Sequence, residues 1–463
     1  MPPANPTSQA VVVGAGISGL ACAYHLRKLG LQVLVLEQSP RPGGLVRSVR
    51  RDGFLLEEGP QSFLLTAPMF EMIRELGLES ELLRADPRAA RYVLIEGKLT
   101  RVPLAPPQLL FGSLLGARTK WSLLRDALGR SIPPDGDESI SDFVRRKFTP
   151  ELLDRLVGPF VSGIYAGDPA RLGLRATFPV IYELESKYGS IIRGAMKSRG
   201  ERGGQRLGSI SFRGGNETLM TALGKSLGES LLLDATVEAI STEPVAGKRE
   251  FRFQVAHGGE RVQFRSAAVV VTCPAATAAN LLRPLSPGMA AALSAIEYAP
   301  VAMLYAGFPR AQVGHPLSGF GFLVPRAAAR QLLGTVWNSS LFAGRSPEGS
   351  ALFTSFAGGT TNPGFASADP EAIRDTLLQE LRPILDLRGA PAFWAVKTYP
   401  RAIPQYPPGH ALEVAGLVET AARTLPGLLL AGNYLQGPSV GDCIASGQRA
   451  ALAAAGYLRS LGA

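Results

Sequence analysis

Residues 10–37 read AVVVGAGISGLACAYHLRKLGLQVLVLE. Ala10–Val13 is a short apolar run, the pattern of a strand covered on both faces. Gly14-Ala15-Gly16-Ile17-Ser18-Gly19 follows at once, and Leu20–Leu29 then has helical spacing until Gly30 stops it. Gln32–Leu36 predicts a second buried strand, which ends on Glu37. The Gly-x-Gly-x-x-Gly spacing alone is a weak signal. Here it follows a strand and opens a helix, and an acidic residue closes the next strand. That is the βαβ context of a dinucleotide turn. Gly14 permits the tight bend, Gly16 leaves room for a diphosphate, and Gly19 allows close helix–strand packing. The first N–H groups of the helix are a site for phosphate. Glu37 can accept both ribose hydroxyls and would repel a 2′-phosphate, which disfavours NADP.

Outward from this unit, Val237–Ile240, Phe251–Val255 and Val262–Phe264 predict a meander, and Ala267–Thr272 a buried strand that ends at Cys273-Pro274. Leu428–Ala431 predicts a strand, Gly432–Asp442 a loop and Cys443–Leu461 an Ala-rich helix. One domain is therefore expected from residues 1–85, 216–297 and 425–463. Residues 104–195 carry the helical patterns Lys120–Arg130, Ile140–Phe148 and Glu151–Phe160, broken by Pro and Gly. An α+β substrate domain is expected from 86–103, 196–215 and 298–424, with strands such as Val301–Gly307, Gly321–Val324 and Ala351–Phe356 and a helix at Glu371–Leu381.

The 463 residues are 46% hydrophobic and 19% charged, enough apolar material for a large core and incompatible with general disorder. Three distant cysteines (Cys22, Cys273, Cys443) exclude a disulfide scaffold, and neither they nor the four scattered histidines have metal-ligand spacing. No metal site is expected, and the cysteine usage fits a reducing compartment. The start MPPANPTSQA lacks a basic and then apolar leader pattern, and no apolar run reads as a spanning helix. The net charge of +10 has two readings, an Arg-rich composition or an anionic lipid or substrate. Nucleic acid is not expected, because no basic helix with interleaved aromatics appears.

Beyond Glu37 come Gln38-Ser39-Pro40-Arg41-Pro42-Gly43-Gly44-Leu45 and Glu57-Glu58-Gly59-Pro60-Gln61-Ser62. These resemble the E-x-x-x-R-x-G-G and E-x-G-P elements of FAD-dependent amine oxidases. Ser162-Gly163-Ile164-Tyr165-Ala166-Gly167-Asp168-Pro169 resembles a signature of the protoporphyrinogen oxidase branch. So do Arg91-Tyr92-Val93, Ser211-Phe212-Arg213-Gly214-Gly215, Gly319-Phe320-Gly321-Phe322-Leu323-Val324-Pro325 and Asp442-Cys443-Ile444. The matches run in order from residue 10 to 455.

The resemblance implies an α/β fold. It consists of a discontinuous Rossmann-like FAD-binding domain of the p-hydroxybenzoate hydroxylase/amine oxidase type, an α+β substrate domain, and a helical insertion at 104–195 that docks on a membrane. Its cofactor is FAD. The implied contacts are Gly14, Ala15, Gly16, Ile17, Ser18, Gly19, Glu37, Gln38, Gly43, Gly44, Leu45, Gly59, Pro60, Gln61, Ser62, Val237, Asn433, Pro438, Ser439 and Val440. Pro438 departs from the usual pattern and removes a backbone donor beside the flavin. The implied reaction is oxidation of protoporphyrinogen IX to protoporphyrin IX in haem synthesis, with O2 as acceptor and H2O2 as product. Coproporphyrinogen III, giving coproporphyrin III, is the alternative. Hydride loss from a methylene between pyrroles asks for positioning and dryness more than for a strong base, so no catalytic acid or base is assigned.

On the substrate side, Arg91 matches a propionate partner, with a surface ion pair as its other reading. Trp337 stacks a pyrrole or packs in the core. Gln61 meets substrate or braces its loop, Gly163 admits substrate or caps a helix, and Leu323 is a pocket wall. The segment Val102–Arg125, apolar and then carrying Arg118, Lys120, Trp121 and Arg125, is an interfacial docking element or a helical lid. The resemblance further implies a cytoplasmic enzyme peripheral on the inner face of the cell membrane, a homodimer, and product hand-off to a ferrochelatase. A covalently flavinylated amine oxidase, a carotenoid desaturase and a non-catalytic tetrapyrrole carrier are the rivals.

Overall fold

The computed structural model describes residues 7–103, 108–109, 112–201, 208–245 and 248–462. The leader expectation for residues 1–6, and residues 104–107 and 110–111 of the docking segment, lie outside them.

Two seven-stranded sheets organise the chain. In the first, Thr7–Val13 lies between Val33–Leu36 and Glu260–Val271, parallel to both. Leu231–Leu232 extends one edge in parallel, while Lys248–His257 and Ala235–Val245 add the antiparallel meander. Leu428–Leu430 pairs in parallel with Val269–Val271. Start, middle and end of the chain thus meet in one sheet. Val11 and Val13 face one core, with Phe251, Phe253 and Val255, and Ala10 and Val12 face the other, beneath helices Ile17–Lys28 and Val440–Ser460. A strand buried on both faces has no polar side to show, which is why AVVV carries no alternation. The two expected strands over 262–272 form one continuous strand, in which buried Ser266 satisfies its hydroxyl on the Ala268 carbonyl at 2.7 Å.

The second sheet runs Phe393–Pro404, Tyr298–Pro309, Ser350–Gly358, Leu332–Val336, Gly321–Leu323, Arg91–Ile95, Lys98–Val102. Along its second strand Ala302, Leu304 and Ala306 point to a core shared with Leu377 and Leu381 of helix Pro370–Leu385. Val301, Met303 and Tyr305 point the other way, onto Phe54 and Leu56 of the hairpin Ser48–Glu57. This face joins the substrate sheet to the dinucleotide half.

Two segments depart from the expected division. Ser209–Phe212 inserts between Phe63–Leu64 and Leu82–Arg84, and Ile210 and Phe212 enter the core of the first sheet. Helix His410–Thr424 places Val414, Leu417 and Ala421 in that sheet's other core. In the insertion, the expected helix Glu151–Phe160 is Pro150–Leu152, a π turn Leu153–Val157 and helix Gly158–Tyr165. Pro159 has no N–H to give to the fourth residue before it, and the wider turn precedes it directly.

Candidate active site

Helix Ile17–Lys28 starts at Gly16 with no side-chain cap and no acidic residue in its first turn. A Cβ on Gly19 would lie 2.0 Å from the Gly14 carbonyl oxygen, whereas one on Gly16 would meet nothing within 4 Å. Packing therefore dictates glycine at 19, and at 16 the backbone faces open space. Gly14 bends at φ +103° and donates to the Leu36 carbonyl at 2.8 Å. The loop after Glu37 folds back over this turn. Gly43 donates to the Ala15 carbonyl at 2.7 Å and bridges Gly16, and a Cβ on Gly44 would reach the Gly16 Cα at 3.3 Å. Arg41 pins the loop through the Gly44 and Val46 carbonyls at 2.8 and 3.2 Å. Gly44 and Leu45 stay exposed, as does Gln38.

Glu37 is buried. Its Oε2 accepts from the Ala15 N–H at 2.6 Å, and its Oε1 accepts from the Ser39 N–H and hydroxyl at 2.9 and 2.6 Å. A carboxylate offers about four lone-pair directions, so acceptor capacity remains for a ribose diol. Val237 is half-buried at a bulge on the neighbouring strand. An open glycine, an uncapped helix start and an oriented carboxylate fit an adenine dinucleotide.

The loop 57–62 forms the next wall. A Cβ on Gly59 would lie 2.2 Å from the Leu45 carbonyl oxygen, so this glycine lets the loops 38–45 and 57–62 come together. Glu57 is buried and ion-paired to equally buried Arg345 at 3.3 Å. It also accepts from Ser48 Oγ at 2.6 Å and the Asn216 N–H at 3.0 Å. Burial pushes the Glu57 carboxyl up, against the pull of Arg345 and these donors. Asn216 Nδ2 donates to the Pro60 carbonyl at 2.7 Å, and Ser62 is half-buried beside it.

From the C-terminal side, the Asn433 carbonyl accepts from the Tyr406 hydroxyl. Pro438 is half-buried, Ser439 exposed and Val440 buried. Ser439 and Asp442 form a reciprocal capping box on helix Val440–Ser460. This helix end is thus self-capped, unlike the opening helix, and two of its donors are engaged. Burial pushes the Cys273 and Cys443 thiols up to about 12, so neither is a thiolate at neutral pH.

On the substrate side the structure brings Gly163, Leu323 and Arg91 into one region. A Cβ on Gly163 would lie 2.6 Å from Leu323 Cδ2. Gly321 and Leu323 lie in register with Arg91 and Val93. Arg91 is exposed, stacks its guanidinium on Phe320 at 5.2 Å and pairs with no carboxylate among the described residues. The surface ion-pair reading of Arg91 is therefore not what the structure has.

Two other expectations fall differently. Trp337 is 0% exposed, enclosed by Tyr92, His315 and Phe322, so its ring belongs to the core rather than to a pocket wall. Its backbone N–H donates to the Phe320 carbonyl at 3.0 Å. The Gln61 amide is spent within the protein, as described below, so it braces its loop.

Sequence reasoning missed Tyr305 and Tyr399 of the substrate sheet and Asn338 and Arg345 beside it, all of which grip the 57–61 loop. They sit in no local motif and are joined to it only through the fold. Among the described residues no cluster of His, Cys, Asp or Glu is arranged to hold a metal ion.

The model of the family described as flavin containing amine oxidoreductase matches residues 17–455. The chain is 36% identical to the chloroplastic protoporphyrinogen oxidase of Nicotiana tabacum, over 97% of this chain and 85% of the relative. It is 30% identical to the coproporphyrinogen III oxidase of Bacillus subtilis, over 97% and 98%. A crystal structure of an Exiguobacterium protein, provisionally named protoporphyrinogen oxidase, superposes with a TM-score of 0.80 at 25% identity, covering 97% of this chain and 99% of the other.

Proposed function

The chain belongs to the flavin containing amine oxidoreductases, and on that premise we propose that it oxidises protoporphyrinogen IX to protoporphyrin IX in haem synthesis. Bound FAD supplies the two-electron acceptor. The protein's own share is to bind, orient and keep dry. The Gly16 turn and Glu37 hold the dinucleotide, and the 57–62 loop and the exposed Leu45 lie along the flavin. The helical insertion meets the substrate sheet where Gly163 admits Leu323. Arg91 carries the reading: it is an exposed guanidinium with no carboxylate partner among the described residues, at the edge of that wall, suited to a propionate. We assign no side chain as acid or base.

O2 as acceptor, H2O2 as product, a homodimer and transfer to a ferrochelatase belong to the same proposal. So does the three-part division, with the two segments above counted in the cofactor half. Contact with an anionic lipid surface through 104–195 belongs to it too. There Trp121, Leu128 and Ile132 are exposed, by 66%, 81% and 91%. Among the described residues no helix is long and apolar enough to cross a membrane.

The second reading, coproporphyrinogen III as substrate, is favoured by the Bacillus subtilis relative, which matches almost end to end. Porphyrin fluorescence should grow in air faster than an autoxidation blank with protoporphyrinogen IX, with H2O2 formed. Arg91→Ala should raise KM about tenfold, the loss of one charge-assisted hydrogen bond. Faster growth with coproporphyrinogen III would select the second reading. A flavin that neither substrate bleaches would overturn both.

A further inference from the structure

Gln61, Asn338 and Thr354 form a buried chain of hydrogen bonds whose polarity can be worked out end to end. Gln61 Nε2 donates to the Glu57 carbonyl at 2.8 Å and to the Gly59 carbonyl at 2.9 Å. Carbonyls only accept, so the nitrogen of that amide is fixed and its oxygen must face away. Gln61 Oε1 then accepts from Asn338 Nδ2 at 2.7 Å. Asn338 Oδ1 in turn accepts from Thr354 Oγ1 at 2.8 Å. Asn338 is 4% exposed and Thr354 0%, so water cannot substitute for a broken link.

The chain crosses between the two halves of the molecule. Thr354 belongs to the third strand of the substrate sheet, and Asn338 opens the short helix Asn338–Leu341 beside it. Gln61 lies on the loop that carries Glu57 to Ser62 along the proposed flavin site. Two tyrosines of the same sheet hold the same loop: Tyr305 donates to the Glu57 carbonyl at 2.7 Å and Tyr399 to the Glu58 carbonyl at 2.8 Å. Those two bonds end on the carbonyls of 57 and 58. Past Gly59, Asn216 holds the Pro60 carbonyl from the cofactor half, and from the substrate half the amide chain holds Gln61.

We propose that Asn338 is a positioning residue that sets the loop 57–62 against the flavin through Gln61, with Thr354 fixing the orientation of its amide. The proposal deepens the flavin-oxidase reading and rests on it. An asparagine is required because the position must donate toward Gln61 and accept from Thr354 at once. Aspartate is the same size and cannot donate.

The test uses the full chain with Asn338→Ala, Asn338→Asp, Thr354→Val and Thr354→Ser. The first readout is hydrogen exchange at amides 58–62, with and without FAD. The second is the absorption spectrum and reduction potential of the bound flavin, titrated chemically without porphyrinogen. The third is kcat and KM with protoporphyrinogen IX.

Both Asn338 variants should speed exchange at 58–62 about tenfold, the loss of one buried hydrogen bond. They should also shift the flavin bands and potential, and lower kcat about tenfold by misplacement while KM stays within about twofold. Thr354→Val should move the same quantities in the same direction by less, and Thr354→Ser should restore them. Unchanged exchange and an unchanged flavin spectrum in Asn338→Ala would overturn the proposal, whatever the activity. If Asn338→Ala does not fold, Thr354→Val decides, and normal exchange and spectrum there overturn it equally. Wild-type protein inactive on porphyrinogen would sink the substrate reading alone, because exchange and potential are read without substrate.

Discussion

Gly16 and Gly19 stand one helical turn apart and should answer the same substitution in opposite ways. A methyl at 19 collides with the Gly14 carbonyl oxygen, and a methyl at 16 enters empty space at φ −65°, which alanine adopts freely. Gly19→Ala should therefore cost about 1–3 kcal/mol of stability, the range for overpacking. Gly16→Ala should melt like the parent when stripped of cofactor and fail to retain FAD. Urea melts of the apo-proteins and the 450 nm absorbance of the purified chains separate the two outcomes. The Glu57–Arg345 pair calls for a different measurement. Both side chains are about 1% exposed, and Arg345 Nη1 has no hydrogen-bond partner among the described residues. Glu57→Gln leaves a buried guanidinium uncompensated and should cost about 3–5 kcal/mol, while Glu57→Gln with Arg345→Met should recover much of that loss. Equal stability of the single and double variants would deny the pairing.

The helices of the insertion are joined by charge as well as by apolar contact. Lys147, 5% exposed, reaches Asp126 at 2.8 Å and Glu185 at 3.1 Å, and Arg146 reaches the other Glu185 oxygen at 2.9 Å. Asp126 also accepts from the Ser190 hydroxyl and the Ile192 N–H. One cluster thus joins helices Ala117–Leu128, Ile140–Lys147 and Pro179–Tyr188 to the start of Ile191–Glu201. Burial alone would push Glu185 up, but Arg146, Ser131 and Lys147 outweigh it and hold the carboxyl below its ordinary value of 4.5. Because the folded value lies below the unfolded one, the contribution is complete above about pH 4.5 and is lost as pH falls through the depressed value. Limited proteolysis within 117–201 should rise on acidification before the first sheet melts, and Glu185→Gln should flatten that rise while lowering stability at neutral pH. A cluster of this kind left no trace in the sequence, where Asp126, Lys147 and Glu185 are ordinary surface-type charges. Helices Ala117–Leu128 and Ile140–Lys147 were legible within a few residues, because apolar spacing is a local property, whereas Pro179–Tyr188 and Ile191–Glu201 were not picked out. The π turn before Pro159 was not, since a single proline predicts a break and leaves its form open.

At the scale of the molecule, the half built on the first sheet was the most legible, because its sharp turns and close approaches are marked by glycine. The substrate half was read through Arg91, Leu323 and Gly163, which the fold does gather. Trp337 shows the limit: aromatic residues suit a pocket and a core equally, and only its enclosure by Tyr92, His315 and Phe322, distant in sequence, decides which. The exposed apolar residues of the insertion give a prediction of the same reach. Trp121 and Leu128 lie on helix Ala117–Leu128, which also carries Arg118, Lys120 and Arg125. Trp121→Glu with Leu128→Glu should abolish co-sedimentation with vesicles rich in anionic lipid and leave turnover in detergent unchanged. Binding by the parent should weaken as salt is raised. Parent protein that never sediments with such vesicles would refute the lipid contact. One last consequence follows from the packing of helix Val440–Ser460 on helix Ile17–Lys28, so close that a Cβ on Gly447 would lie 2.2 Å from the Ser18 carbonyl oxygen. Partners more than four hundred residues apart cannot meet until residue 460 has left the ribosome. The helix of the opening βαβ unit therefore keeps one flank bare until residues 440–460 have been made, and a contact spanning that much chain is slow to close.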